Sequence, residues 1–308
     1  MVETDFDLAV IGAGCAGLAA GVYGGRAGMK VCIFDKGKAG GQLLITHKIE
    51  NYIGYAEISG PDLAAKMLEH AQKYSQVKEF TEVEQVRDEG DHILIRTTEG
   101  EYTAAALLLS TGADHKHLGV PGEEELAGKG VSYCATCDGF FFRNRKVIVV
   151  GGGSTAAIES LYLKGIDVDV NIVHRRDRLR AESALIEDIN KTDMPIHFNK
   201  RVIGIQGEKR VEKVILECTD SGDRTEMDTD GVFIAIGLQP NDMLAKQLGL
   251  EMTEDGLVKV DPVFRTSNPR VFASGDLIGG VRQAITAAAE GTIASLNVLP
   301  LVGKQYPW

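Results

Sequence analysis

A strand, a glycine-rich turn and a small-residue helix occur twice in this chain, and the spacing behind each turn is the same. "FDLAVIGAGCAG" (6–17) runs an apolar strand into Gly12, Gly14 and Gly17, the pattern G-x-G-x-x-G, and "LAAGVYGGRAG" continues as an apolar-patterned helix. Glycines so placed permit a tight turn, close approach of backbone to a pyrophosphate, and close helix–strand packing, with the helix N-terminus facing the phosphates. The following strand, "KVCIF" (30–34), ends at Asp35, 23 residues after Gly12. Further on, "KVIVVGGGSTA" (146–156) enters Gly151, Gly152, Gly153 and Ala156, and its next strand, "VDVNIV", ends at His174, again 23 residues after the first glycine. Each unit closes on an apolar strand running into a glycine, "LLLSTGA" (107–113) and "VFIAIGL" (232–238). An unrelated second domain would not reproduce the offset, so the chain reads as an internal duplication.

The expected fold class is therefore α/β: two Rossmann-like three-layer dinucleotide-binding domains, the second inserted in the first. A late strand and small-residue helix (271–299) carry no fingerprint of their own and complete the first domain. That gives 1–114 with 245–308 for the first domain and 115–244 for the second, with Pro and Gly in both connecting segments. A chain of 308 residues suits two domains. Glycine, 36 of 308, stands well above the roughly 7% of average usage, as two such turns require.

The strand tips separate the two sites. Asp35 suits free ribose hydroxyls and repels a 2′-phosphate, so the first site fits FAD or NAD. The second tip opens "HRRDRLR" instead, with Arg175, Arg176 and Arg180 beside His174 and with Gly151, Gly153, Ser154 and Thr155 at the turn. Guanidinium forks pair bidentately with phosphate, which favours NADPH over NADH. Arg178, next to Asp177, reads as a solvated neighbour. Two sites of unlike preference imply hydride flow between a nicotinamide and a flavin, with two electrons passed onward.

"CATCD" supplies the acceptor. A C-x-x-C pair alone fits a metal site, a staple or a redox dithiol. Structural zinc needs four ligands, and only Cys134 and Cys137 lie close together, although His115 and His117 stand nearby. A staple across two residues closes too small a loop to stabilise much. As a redox pair at a helix start, the cysteines gain thiolate character from backbone N–H groups, and Asp138 is placed either to carry a proton or to cap the helix. Five cysteines, an odd number, argue against a secreted disulfide framework, and Cys15, Cys32 and Cys218 read as buried small hydrophobes. A net charge of −11 argues against nucleic-acid or anionic-membrane binding. No stretch approaches the roughly 18 uninterrupted apolar residues of a membrane span, and the acidic start is unlike a signal peptide, so a cytoplasmic location is expected.

Taken in order and spacing, "GAGCAGLAA", "GGQL", "ENYIG", "CATCDGFFFRN", "GGGSTA", "HRRDRLRAE" and "SGDL…RQA" resemble the bacterial and archaeal low-molecular-weight, NADPH-dependent thioredoxin reductases over nearly the whole chain. The resemblance implies FAD held by Gly12, Gly14, Gly17, Asp35, Gly41, Gln42, Asn51, Asp276, Arg282, Gln283 and Ala284. It implies that Cys137 faces the flavin, that Cys134 attacks thioredoxin or a thioredoxin-like protein, and that the chain forms a homodimer. It also implies a rotation of the NADPH domain about its two linkers. A related flavin-dependent dithiol oxidoreductase using another donor or a small-molecule substrate is the alternative. Departures are Cys15, Ile53 in place of a proline, and Gly24 and Gly25 in place of alanines, each of which costs a helix about 0.8–1 kcal/mol. Trp308, at the C-terminus, reads as a cover for the flavin or a dimer seam, or as a frayed end.

Overall fold

Alternation along the central strands decides the layering. The structure, a computed structural model, describes residues 3–46 and 48–305, so Trp308 lies outside the described residues. It divides into two compact units, Met1–Asp114 with Gln239–Trp308, and His115–Leu238. In the first, β1 (Phe6–Ile11), α1 (Cys15–Arg26) and β2 (Val31–Phe34) form the expected strand–turn–helix–strand. Then come α2 (Gly60–Gln72), β3 (Gln76–Lys78), β4 (Val83–Asp88), β5 (Ile93–Thr97), β6 (Gly100–Leu109) and β7 (Ala113–His115). Ser59 caps α2, its hydroxyl accepting from Asp62 N at 3.1 Å, with Pro61 in the first turn.

The sheet order is β3-β2-β1-β6-β5-β4. Its long strand β6 pairs antiparallel with β5 along its first half and parallel with a late strand along its second. Ala9, Ile11, Leu107 and Leu109 pack on one face of this sheet, while Leu8, Val10, Ala106 and Leu108 pack on the other. Both faces are thus apolar and covered, as a mainly parallel sheet demands.

The inserted unit contains β8 (Val131–Ser132), α3 (Ala135–Asp138), β9 (Lys146–Val150), α4 (Ser154–Gly165), β10 (Asp169–Val173), α5 (Ser183–Asn190) and β11 (Ile196–His197). Three antiparallel strands follow, β12 (Lys200–Gln206), β13 (Lys213–Cys218) and β14 (Arg224–Asp228), then β15 (Gly231–Ile234). The parallel order is β11-β10-β9-β15-β8. Val147 and Val149 face the helices, whereas Ile148 and Val150 face the antiparallel strands. The third layer here is a sheet.

The chain returns through β16 (Leu238–Pro240), which pairs with β7, then α6 (Met243–Gln247), β17 (Val271–Ala273) and α7 (Ala284–Leu296). Residue 245, the boundary expected from the sequence, falls inside α6, whose Leu244 and Ala245 are buried in the first unit's core. Ala284–Val302 is long and apolar enough to cross a membrane by length and composition alone. In the fold it begins as α7, packed so tightly on α1 that a Cβ on Gly291 would lie 2.0 Å from the Ala16 carbonyl oxygen. It is a packed helix of the first unit.

Candidate active site

β8 delivers the chain to the cysteines. Ser132 is buried at the strand end, in register with Phe233 of β15, and Cys134 is the extended residue that begins α3. Cys137 N and Asp138 N donate to the Cys134 carbonyl at 3.3 and 3.1 Å, so one short turn holds both sulfurs. Cys134 and Cys137 form a disulfide, with Cα atoms 5.3 Å apart. Cys134 is half-buried and Cys137 exposed. Ser132 Oγ donates to Asp138 Oδ2 at 2.6 Å and accepts from Cys134 N at 3.1 Å. Sequence reasoning passed over Ser132, because a serine at a strand end carries no signal of its own.

A second residue missed by the sequence lies beneath the pair. Ala135 packs with Ala156, Ala157 and Leu163 of α4, which brings Glu159 of the same helix under the cysteine turn. Burial pushes the Glu159 carboxyl up to about 7, against a pull downward from the Ala135 N–H. Its Oε2 is sealed from solvent with no hydrogen-bond partner. A carboxyl raised in the folded state contributes its stability below the unfolded value and loses it as pH rises through the folded one. Glu159→Gln should therefore match the parent near pH 4.5 and exceed it at pH 8, by on the order of 3 kcal/mol. Thermal melts at the two pH values check this; an equal gain at both would assign the effect to packing.

A third cluster holds Tyr133, the residue before Cys134. Glu123, 1% exposed, accepts from Leu118 N, Gly119 N and the Tyr133 hydroxyl at 3.0, 2.7 and 2.9 Å. Burial alone raises Glu123, but these donors hold it below the usual carboxylate range. His117 Nδ1 lies 3.0 Å from the Tyr133 hydroxyl, and His115 stacks on the Tyr133 ring. Both histidines thus engage Tyr133. Among the described residues, no group of three or more His, Cys, Asp or Glu is arranged to hold a metal ion.

In the first unit the glycine turn is tight behind and open in front. Gly12 has φ 104°, and a Cβ there would lie 2.3 Å from the Ser110 carbonyl oxygen; one on Gly17 would lie 1.9 Å from that of Gly12. At Gly14 a Cβ would meet nothing within 4 Å, and α1 begins with no side-chain cap. Its first N–H groups remain available for a pyrophosphate. Asp35 accepts from Ala13 N and Gly37 N at 2.7 and 2.8 Å, which fixes the acid at the strand tip and leaves it acceptor capacity for a ribose. Gly41 closes on Gly14, with an added Cβ 3.3 Å from the Gly14 Cα. Gln42 donates to the Ala113 carbonyl at 3.2 Å, and Asn51 to Gln283 Oε1 at 3.0 Å. Gln283 caps α7, which starts at Ala284. Burial raises the Asp276 carboxyl, against Arg282. Arg282 sits at φ 54° with its Nε buried and unpartnered. A strained arginine with an orphaned donor fits a site shaped for an acceptor-rich dinucleotide.

The remaining cysteines divide. Cys32 is buried and Cys15 half-buried, and burial pushes both thiols up to about 12. Cys15 and Cys218, both expected to be buried, are each only half-buried, and Cys218 lies at the end of β13, where the Ser221 hydroxyl lowers its thiol. A strand end, unlike a strand middle, leaves its side chain open.

In the second unit, Gly151 and Gly152 are crowded and Gly153 is open: a Cβ on Gly152 would lie 2.2 Å from His174 Nδ1. Ser154 and Thr155 open α4. His174 is buried, and burial followed by Arg176 lowers its ring below the usual histidine range, which favours the neutral form. Arg175, Arg176, Arg178 and Arg180 are exposed, and no ion pair engages them among the described residues. An uncompensated guanidinium cluster at the strand tip suits a phosphate dianion.

Comparison with known proteins follows the same outline. The pyridine nucleotide-disulphide oxidoreductase family model matches residues 6–291. The thioredoxin reductase of Bacillus subtilis is 40% identical over 299 residues, covering 96% of this chain and 94% of that protein. That of Treponema pallidum is 39% identical over 297 residues, covering 96% of each. The crystal structure of thioredoxin reductase from Streptococcus pyogenes superposes with a TM-score of 0.91 at 38% identity, covering 97% of this chain and 98% of that one.

Proposed function

Because the chain belongs to the pyridine nucleotide-disulphide oxidoreductases and, within them, to the thioredoxin reductases, we propose that it uses NADPH to reduce the disulfide of thioredoxin or a thioredoxin-like protein. The observation that carries this reading is the Cys134–Cys137 disulfide in the same unit as the arginine-tipped nucleotide turn. Bound FAD supplies the two-electron relay between the nicotinamide and that disulfide. We assign its binding to Gly12, Gly14, Gly17, Asp35, Gly41, Gln42, Asn51, Asp276, Arg282, Gln283 and Ala284. NADPH is assigned to Gly151, Gly153, Ser154, Thr155, His174, Arg175, Arg176 and Arg180.

In the reaction we assign, the Cys134–Cys137 bond accepts two electrons and opens, and Asp138 gives a proton as the dithiol forms. The Cys134 thiolate attacks one sulfur of the thioredoxin disulfide and forms a mixed disulfide, releasing a thioredoxin thiolate that takes up a proton. Cys137 then attacks Cys134 Sγ, frees the second thioredoxin thiol and restores the internal disulfide. We further propose that the inserted unit turns about its two crossings during turnover. The form proposed in the cell is a cytoplasmic homodimer, which light scattering tests as to subunit number.

The deciding assay is NADPH-dependent reduction of thioredoxin by the purified flavoprotein. Turnover of a small-molecule disulfide but of no thioredoxin would favour the alternative dithiol oxidoreductase. Run with both coenzymes, the assay also tests the arginines. Arg175→Ala with Arg176→Ala should lower the kcat/KM preference for NADPH over NADH by about 10- to 150-fold if one charged hydrogen bond worth roughly 1.5–3 kcal/mol is lost, and by more if two are. An unchanged ratio would return the cluster to the role of a solvated loop.

A further inference from the structure

Ser132 stands where a single hydroxyl can serve an acid in both of its protonation states. Its oxygen lies 2.6 Å from Asp138 Oδ2, 3.1 Å from Cys134 N and 3.4 Å from the Cys134 carbonyl oxygen. A serine hydroxyl has one donor and two acceptor lone pairs. With Asp138 ionised, the hydroxyl donates to Oδ2 and accepts from Cys134 N. With Asp138 protonated, the oxygen can accept from both Asp138 and Cys134 N, while its own hydrogen turns to the Cys134 carbonyl. Neither state requires a heavy atom to move. The oxygen is also anchored, since Ser132 is 4% exposed and its backbone lies in the β8–β15 ladder.

We infer that Ser132 is the positioning residue of the proton carrier, a hydroxyl rotor that keeps the Asp138 carboxyl aimed beside the cysteine turn both before and after it gives up its proton. This inference rests on the thioredoxin reductase reading and on Asp138 as the carrier. The step balances as follows: two electrons from NADPH open the Cys134–Cys137 bond, Asp138 passes a proton to one of the two sulfurs and becomes a carboxylate, and solvent returns the proton. The rotor favours the carboxylate. Its bond to Oδ2 is short and charge-assisted, whereas the Cys134 carbonyl is more distant and already accepts from Cys137 N and Asp138 N. Loss of the hydroxyl should therefore raise the pH at which Asp138 titrates, because a donor to the charged form has gone. Other ionisable groups packed against this turn are Glu159 and Tyr162 on α4, and Tyr133, which is bonded to Glu123 and flanked by His117.

The test uses the complete flavoprotein with Ser132→Ala, Ser132→Thr, Asp138→Asn, and Ser132→Ala combined with Asp138→Asn. Infrared spectroscopy follows the carboxylic acid band that Asp138→Asn removes, so the neighbouring groups drop out of the difference. In Ser132→Ala that band should titrate about 1–2 pH units higher, the equivalent of one lost charged hydrogen bond. The limb of the turnover pH profile that Asp138→Asn abolishes should move with it. Ser132→Thr, which keeps the hydroxyl, should restore both, and in the Asp138→Asn background Ser132→Ala should add nothing. A band that titrates unmoved in Ser132→Ala, or an equal effect of that change with Asp138→Asn present, overturns the inference. If the alanine variant fails to fold, Ser132→Cys, a similar shape with a weak donor, carries the same comparison. If the parent protein reduces no thioredoxin, the functional reading fails, and the infrared titration still decides the part played by Ser132.

Discussion

Cys134→Ser should abolish NADPH-dependent reduction of thioredoxin, by at least about 10³-fold, while NADPH still bleaches the flavin. The thiolate is the species that exchanges with a disulfide, and a serine hydroxyl neither ionises near neutrality nor forms the sulfur–sulfur bond. The short turn fixes the partner: Cys137 lies in the same helix that Cys134 begins, with its N–H on the Cys134 carbonyl. Cys137→Ser should fail differently. It retains the attacking sulfur but lacks the resolving one, so a mixed disulfide between Cys134 and thioredoxin should accumulate and appear by mass spectrometry as a one-to-one adduct. In Cys134→Ser no such adduct should form. If the adduct appeared in Cys134→Ser instead, the two sulfurs would exchange roles; if Cys134→Ser reduced thioredoxin normally, the assignment of the pair would fall.

Both nucleotide turns were legible in the sequence because each is local. A strand, three glycines and a strand tip occupy some thirty residues, and their spacing follows from the geometry of one turn. Asp35 and His174 could thus be placed before any tertiary contact was known. Ser132, Glu159 and Glu123 could not. Each takes its meaning from a residue on another element: Ser132 from Asp138 across the start of α3, Glu159 from Ala135 above α4, and Glu123 from Tyr133. The chain rejoins the first unit at Gln239, ahead of the expected 245, for the same reason, since α6 has no signature apart from the core that buries Leu244 and Ala245. Gly25 shows how a local rule can mislead. Read along the helix it costs propensity, yet a Cβ there would lie 2.1 Å from the Tyr74 carbonyl oxygen, so the glycine lets the chain after α2 cross α1 at close range. Replacing it with alanine to gain helix propensity would therefore sacrifice packing. His174 is a subtler case. Its position follows directly after β10, but it is buried against Gly152, where burial works against a charged ring, so it walls the turn and leaves the exposed arginines as the charged part.

Gly17→Ala should give a nearly colourless protein of lowered stability, whereas Gly14→Ala should lose flavin without losing the fold. At Gly17 an added Cβ would sit 1.9 Å from the Gly12 carbonyl oxygen, and neither side can yield cheaply. Gly12 is tied to the sheet by its N–H on the Phe34 carbonyl at 2.8 Å, and its φ of 104° suits glycine alone. α1 is held from behind, because Ala16 already meets Gly291 of α7 at the limit of approach. Relief requires moving the whole helix start, and overpacking of this kind costs about 1–3 kcal/mol or more. Gly14 is the contrasting position. Its φ of −78° admits any residue, and no atom lies within 4 Å of a Cβ there. Alanine at 14 is thus free of strain in the protein itself, but it intrudes on the space in front of the α1 N-terminus, where a pyrophosphate would approach the backbone. Flavin absorbance per chain and the melting temperature of flavin-stripped protein separate the two cases. Gly17→Ala should lower both, and Gly14→Ala only the first. Full flavin content in Gly14→Ala would move the pyrophosphate away from this turn, and an unchanged melt in Gly17→Ala would show that α1 has room to shift.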